Sequence, residues 1–133
     1  MDNKNAVTLN LRSLAHIGDA VYEVYVREKT INLTQNAKKL HRYTVALVNA
    51  EFQTGLLNLL LENLTHEESE LVRRGRNMPV TTSRRVNQSV HRPATAFEIL
   101  IGHLYLEDKP RLEEIYKIID PIIEKTVSGF SQN

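Results

Sequence analysis

Leu14-Ala-His-Ile-Gly-Asp-Ala-Val-Tyr-Glu23 sets a carboxylate, Asp19, directly after a glycine in a run that otherwise has the apolar spacing of a buried helix. If Leu11, Leu14, Ile17, Val21 and Val24 pack into a core, Asp19 falls at the margin of the packed face. An ionised carboxylate there costs several kcal/mol unless a cation or a hydrogen-bond donor meets it. Gly18 beside it costs the helix about 1 kcal/mol relative to alanine. Having no Cβ, it lets another backbone approach this turn and bring its own groups to Asp19.

Outward from that stretch the chain reads as helices. Residues 1–10 form a polar arm, irregular until Leu11, and the helix then runs from about Leu11 to Lys29. Asn32-Leu-Thr34 supplies a break and an N-cap. Apolar spacing resumes through Ala37, Leu40, Thr44, Leu47 and Val48 and continues from Glu51 to Leu64, as one long helix or as two that abut near Asn49 or Gly55. Thr65-His-Glu-Glu68 is a capping box opening a short helix that ends at Gly75. From Asn77 to Arg92 turn formers and basic residues appear without an apolar stripe, which predicts a loop or a mobile helix. Pro93 suits the first position of a helix that carries Ala94, Phe97, Ile101, Leu104 and Tyr105 through Glu107. A last helix runs from about Pro110 to Val127, with Pro121 as a place to bend. No internal repeat and no period-two strand is present, so the expected fold class is all-α.

A chain of 133 residues, 41% hydrophobic and 25% charged, makes one soluble domain with room for little else. The absence of cysteine excludes a disulfide framework and a thiolate metal site, and it sits with a reducing cytoplasm. Met1-Asp-Asn-Lys-Asn-Ala6 lacks a signal-peptide layout, and the most apolar segment, Ala94 to Leu106, is interrupted by Glu98 and His103, so no membrane association is expected. The net charge of +1 hides a partition. Leu71 to Pro93 holds Arg73, Arg74, Arg76, Arg84, Arg85 and Arg92 and no acid, which leaves 11 basic against 16 acidic residues elsewhere. A basic strip of this kind is either a solvated loop or a surface for a polyanion. Lys38, Lys39, His41 and Arg42 form a second, smaller cluster.

What meets Asp19 stands after the strip. In Thr95-Ala-Phe-Glu-Ile-Leu-Ile-Gly-His-Leu-Tyr-Leu106, Glu98 is the one acid, with Ala94 and Gly102 a turn either side. The two helices share a design: a single acid, flanked by small residues, inside an apolar run. If Gly18 and Gly102 let these helices pack closely, Asp19 and Glu98 converge, and two carboxylates meeting in a partly buried place need a cation between them. A hard divalent ion with oxygen ligands and retained waters, Mg2+ or Mn2+, suits that place. Taken alone, Asp19 reads equally well as a hydrogen-bonded structural aspartate. The histidines show no ligand spacing for zinc.

These residues resemble a known family. Ile17-Gly-Asp-Ala-Val21 is similar to the signature segment of the ribonuclease III nuclease domain, and Phe97-Glu-x-Leu-Ile-Gly-x-Leu-Tyr-Leu106 to that domain's last catalytic helix. Order and separation agree, and the resemblance covers nearly the whole chain. Arg73-Arg-Gly-Arg-Asn77 resembles the short subfamily, Mini-ribonuclease III, and the expectation is a single nuclease domain over 1–133 with no separate double-stranded-RNA-binding domain.

By resemblance, Asp19 and Glu98 are the catalytic and metal-binding carboxylates, with Mg2+ as cofactor and Mn2+ able to substitute. Departures from the longer enzymes stand at Arg12 and Ala15, where those have glutamates, and at Thr95, where they have an aspartate. These substitutions imply a changed metal shell. His16, Glu23 and Thr95 are candidates to act behind the metal ligands, although Glu23 is also spaced to pair with Arg27. The resemblance further implies a homodimer and a double-stranded RNA substrate. The apolar residues on more than one side of the signature helix put Leu14, Ile17, Val21 and Tyr22 at the interface, and the acid-free strip assigns the hold on RNA to Arg73, Arg74, Arg76, Arg84, Arg85 and Arg92, with a lesser contact at Lys38, Lys39 and Arg42. The role it implies is cytoplasmic maturation of 23S ribosomal RNA precursor ends during ribosome biogenesis, with ribosomal proteins of the large subunit as candidate partners. Phosphodiester hydrolysis needs an activated water, neutralised phosphoryl oxygens and help for the leaving 3′ oxygen, which a carboxylate-bound Mg2+ provides. Two other readings stay open: a non-catalytic RNA-binding helical dimer, and a structural helical dimer that binds protein.

Overall fold

The helix Gln88–Glu107 buries Pro93, Ala94, Ala96, Phe97, Ile99, Leu100, Ile101, Gly102 and Leu104. Apolar on more than one side, it can be satisfied only at the centre of the molecule, with other helices around it. The computed structural model describes residues 3–79 and 87–130, with side chains from Leu11 onward. Among these residues the chain is all-α: α1 (Asn3–Thr30), α2 (Ala37–Val48), α3 (Ala50–Leu60), a 3₁₀ turn (Leu61–Asn63), α4 (His66–Arg76), the central α5 (Gln88–Glu107) and α6 (Lys109–Phe130). No helix among them is long and apolar enough to cross a membrane by itself.

Several boundaries differ from the sequence expectation. α1 begins at Asn3, not at Leu11. Asn3 to Asn10 contains no proline or glycine, and extending a helix that is already nucleated costs far less than starting one. The cap of α2 is Asn36, whose side chain accepts from the Lys39 N–H at 3.1 Å, while Thr34 supports it by accepting from the Asn36 N–H. Asn49 settles the choice between one long helix and two. Its side-chain amide donates to the Val45 and Ala46 carbonyls, closing α2, and its side-chain oxygen accepts from the Phe52 N–H, opening α3. The two helices meet at 42° there, and Gly55 sits inside α3 without breaking it.

The capping box at Thr65 and Glu68 is present, and α4 runs one residue past Gly75 to Arg76. α5 starts at Gln88, five residues ahead of Pro93, so His91 and Arg92 are helical. A proline at that depth removes a helical hydrogen bond. The Asn87 side chain, accepting from the Ser89 N–H at 3.0 Å, and the Thr54 hydroxyl, donating to the Val90 carbonyl at 2.7 Å, hold the turn in front of it.

The core corrects the expected face of α1. The buried residues are Leu11, Gly18, Tyr22, Val26 and Thr30, a stripe at seven- and then four-residue spacing that passes through the glycine. Ile17, Val21 and Val24 lie on another face of α1, and Val24 is 58% exposed. Tyr22 lies edge-on to Phe97 of α5, with ring centroids 5.1 Å apart, and its hydroxyl donates to the Leu47 carbonyl at 2.6 Å. Leu56, Leu57, Leu60, Ile115, Ile119 and Ile123 complete this core.

Two polar clusters tie α6 to the rest. Arg111 donates twice to the buried Glu68 carboxylate at 2.9 Å and once to the Asn63 carbonyl at 2.8 Å, and this guanidinium holds the Glu68 carboxyl below the usual carboxylate range. Lys29 bridges Asp120 at 2.8 Å and Glu124 at 2.9 Å, while Tyr25 donates to Asp120 and stacks on Tyr116.

Candidate active site

The geometry starts from two glycines. A Cβ at Gly18 would overlap the Glu98 carbonyl oxygen and lie 2.9 Å from the Gly102 nitrogen; one at Gly102 would overlap the Leu14 carbonyl oxygen and lie 3.0 Å from the Gly18 nitrogen. The backbones of α1 and α5 are therefore in direct contact, and their register runs in opposite directions, Gly18 against Glu98 and Leu14 against Gly102. This crossing brings the carboxyl of Asp19, exposed, to that of Glu98, half-buried, close enough for a hydrogen bond between them. Burial, and then the bond to Asp19 and its negative charge, push the Glu98 carboxyl up to about 8. Two carboxyls so close require a shared proton or a cation.

Both open into a cleft of about 280 Å³. α1 contributes Arg12, Ala15, His16 and Asp19; α5 contributes His91, Arg92, Thr95 and Glu98; Gly75, Met78 and Pro79 close the third side. Gly75 is there because α4 presses on α5, where a Cβ would lie 2.9 Å from the Ile99 side chain and 3.2 Å from the Ala96 backbone. The donor set of two carboxylates with neighbouring hydroxyl and water-accessible space fits a hard divalent ion that keeps most of its waters. Among the described residues no group of three or more His, Asp or Glu side chains is gathered as a metal site.

The ribonuclease III domain family matches residues 12–109. Curated relatives called Mini-ribonuclease 3 include that of Synechocystis sp., 44% identical over 108 residues (81% of this chain and 76% of the relative), and that of Gloeobacter violaceus, 42% identical over 120 residues (90% and 89%). A crystal structure of a protein from Fusobacterium nucleatum superposes with a TM-score of 0.73 at 33% identity, covering 83% of this chain and 88% of that one. The chain belongs to the ribonuclease III family, in its Mini-ribonuclease 3 group. It is an endoribonuclease, acting on RNA.

Of the residues singled out in this ribonuclease III chain from sequence, Asp19, Glu98, His16, Thr95 and Arg92 share the cleft. Glu23 does not line it; its carboxylate pairs with Arg27 at 2.9 Å, so the spacing to Arg27 was the better guide. Arg73 pairs with Glu70 at 2.9 Å, whereas Arg74 and Arg76 are exposed at the end of α4, beside the cleft-lining Gly75, and form no ion pair among the described residues. Arg84 and Arg85 lie outside the described residues. Lys38, Lys39 and Arg42 are exposed on α2 and are not cleft residues.

The expected dimer contacts separate. Tyr22 is 1% exposed and belongs to the core, so it cannot serve as an interface residue, and Leu14 packs against the small cluster of Leu11, Leu71 and Ile99. Ile17 and Val21 line a groove with Val24, Tyr25, Tyr105 and Tyr116. Sequence reasoning missed His91 as a cleft residue of the Mini-ribonuclease 3 site, and it reached Arg12 only as a departure from the longer enzymes, without a role of its own. Each stands seven residues, two helical turns, ahead of a carboxylate, and that spacing was the available signal.

Proposed function

We propose that this chain is a divalent-metal-dependent endonuclease that cuts double-stranded RNA, with Mg2+ as the natural ion and Mn2+ able to substitute. The observation that carries the reading is the meeting of Asp19 and Glu98 in an open cleft, forced by the Gly18–Gly102 crossing. Asp19 and Glu98 hold the ion. When bound, it supplies a Lewis acid for the phosphoryl oxygens and an activated water. Thr95 offers a hydroxyl to the waters around the site, and His16 sits a turn ahead of Asp19 with its ring toward solvent. Arg92 in the cleft and Arg74 and Arg76 at the exposed end of α4, with Arg84 and Arg85 of the same strip, meet phosphates and 2′-hydroxyls. A-form RNA keeps its base edges in a deep, narrow groove, so these side chains read shape. Lys38, Lys39 and Arg42 on α2 extend the hold.

The active form is a homodimer. Its support is the second apolar face of α1, where Ile17, Val21 and Val24 join Tyr25, Tyr105 and Tyr116 in a groove of about 440 Å³. The cellular role in this reading is maturation of 23S ribosomal RNA ends in the cytoplasm, by likeness to the short branch of the family.

The deciding experiment incubates the chain with a duplex RNA in Mg2+ and in EDTA. Double-strand cuts that need the metal are expected. A salt-sensitive gel shift without cutting would replace this reading with a non-catalytic RNA-binding dimer, and neither outcome would leave a protein-binding one.

A further inference from the structure

Arg12 and Arg92 stand in the cleft with the two carboxylates, one guanidinium from each of the helices that carries an acid. Arg12 lies two turns before Asp19 on α1, and its Nη2 donates to the Pro79 carbonyl at 3.2 Å. That bond fixes the side chain at the mouth of the cleft and leaves its other N–H donors available. Arg92 is exposed on α5, one turn before Thr95 and nearly two before Glu98. Among the described residues neither arginine forms an ion pair. Two positive groups kept beside two acids, yet spent on neither, are free to take another anion.

The charge balance of the cleft says how many cations it can accept. Two carboxylates and two guanidiniums cancel formally. One divalent ion together with one phosphodiester leaves the site with a single formal positive charge. A second divalent ion would bring two further positive charges toward two guanidiniums and would find no carboxylate left, since Asp19 and Glu98 are the only acids among the cleft's described lining residues. A hard cation needs oxygen ligands to offset its dehydration, and this cleft has them for one ion.

We propose that Arg12 and Arg92 contact the scissile phosphate and perform in this cleft the charge neutralisation of a second cation, so that each chain takes a single divalent ion. This rests on the metal-dependent duplex cleavage proposed above. In the hydrolysis the water oxygen bonds to phosphorus as the bond from phosphorus to the 3′ oxygen breaks. One water proton leaves to solvent, and the 3′ oxygen takes one up. The guanidiniums exchange no bond. Their planar, permanently charged N–H forks meet the negative charge that builds on the non-bridging oxygens, which a flexible ammonium would do less well.

The test titrates the metal-free full chain with Mn2+ and counts bound ions by electron paramagnetic resonance. In parallel, duplex RNA binding is measured in EDTA, and cleavage in Mg2+. The expected results are one Mn2+ per chain, a loss of kcat on the order of 10²-fold in Arg12→Ala and in Arg92→Ala, weaker metal-free duplex binding in both, and a second bound Mn2+ in Arg12→Glu. Arg92→Lys should recover duplex binding more than kcat, which keeps the test usable if an alanine variant at Arg12 does not fold. Two Mn2+ ions per unaltered chain, or folded alanine variants with unchanged kcat and unchanged duplex affinity, would overturn the proposal. A chain that cuts RNA with two ions bound removes this inference alone; one that neither binds Mn2+ nor cuts removes the functional reading beneath it.

Discussion

Gly18 and Gly102 sit where α1 and α5 touch backbone to backbone: a Cβ on Gly18 would fall on the Glu98 carbonyl oxygen and one on Gly102 on the Leu14 carbonyl oxygen, 2.9 and 3.0 Å from the other glycine's nitrogen. The site exists only because both positions are bare. Gly18→Ala and Gly102→Ala should each destabilise the fold by about 1–3 kcal/mol or more, because overpacking at a helix crossing cannot be relieved by turning a side chain. Gly55→Ala is the control: nothing lies within 4 Å of a Cβ there, and alanine in an open helical site should stabilise by roughly 0.5–1 kcal/mol. Thermal melts should separate these by roughly 4 °C per kcal/mol. Crossing variants that melt like the control would mean that α1 and α5 are not in contact.

Asp19→Asn and Glu98→Gln should each lower cleavage by roughly 10³-fold or more while leaving the helical signal and duplex binding nearly intact. The same changes relieve the crowding of two acids, so neither should lower the metal-free melting temperature. Full cleavage by either variant would remove the carboxylates from the chemistry.

The Glu68–Arg111 pair should govern acid stability. Its folded carboxyl sits below the ordinary value of 4.5, so the stabilisation is fully present above that pH and is lost as pH falls through the folded value. Asp120, lowered from 3.8 by Lys29 and Tyr25, adds a second loss further down. Melting temperatures of the metal-free chain should rise from neutrality toward about pH 5, as Glu98, whose folded carboxyl is raised to about 8, takes up its proton, and fall further down as Glu68 and Asp120 lose their charge. Arg111→Ala should cost about 3–5 kcal/mol at pH 7 by leaving the buried Glu68 carboxylate without its cation. An acid melting profile identical in Arg111→Ala and the parent would contradict this assignment.

RNA affinity should divide among the arginines of α4 by what else they touch. Arg74→Ala with Arg76→Ala should flatten the dependence of log affinity on log salt by up to roughly 0.9 per lost phosphate contact, a coefficient taken from duplex DNA. Arg73→Ala should matter less, since Glu70 already engages that side chain. Arg84→Ala with Arg85→Ala should raise KM more than it lowers kcat. An unchanged salt slope in both double variants would move attention to Lys38, Lys39 and Arg42.

Light scattering at micromolar concentration should give twice the chain mass, and Val24→Glu, which sets a charge in the tyrosine-lined groove, should halve it. A monomeric mass for the unaltered chain would leave that groove without the partner proposed for it.

The helices and the pairing of Asp19 with Glu98 were legible because both rest on local signals: caps, apolar spacing, and an acid beside a glycine in each of two apolar runs. The packed face of α1 was not, because its stripe runs through Gly18, which no apolar count registers, while the more obvious valines and isoleucine serve another face. α5 was read five residues short because Pro93 is a good opening residue, and whether it opens a helix or sits inside one depends on Thr54, distant in sequence, bonding the Val90 carbonyl. That misplacement also hid His91, which joins the cleft only once its turn is helical. Arg12 was legible as a departure from the longer enzymes, but its bond to Pro79 depends on how the segment after α4 lies across α1.

With a net charge of only +1, the chain is electrically lopsided: Leu71 to Pro93, which brings Arg92 into the cleft, holds six arginines and no acid, while the remainder holds 16 acidic against 11 basic residues. An approaching polyanion feels a torque before it feels a contact, and the cleft side is turned toward it at distances of about a Debye length, on the order of 10 Å at 0.1 M salt. Encounter should therefore be oriented and fast at low ionic strength, yet a protein so nearly neutral gathers little nucleic acid on its other faces.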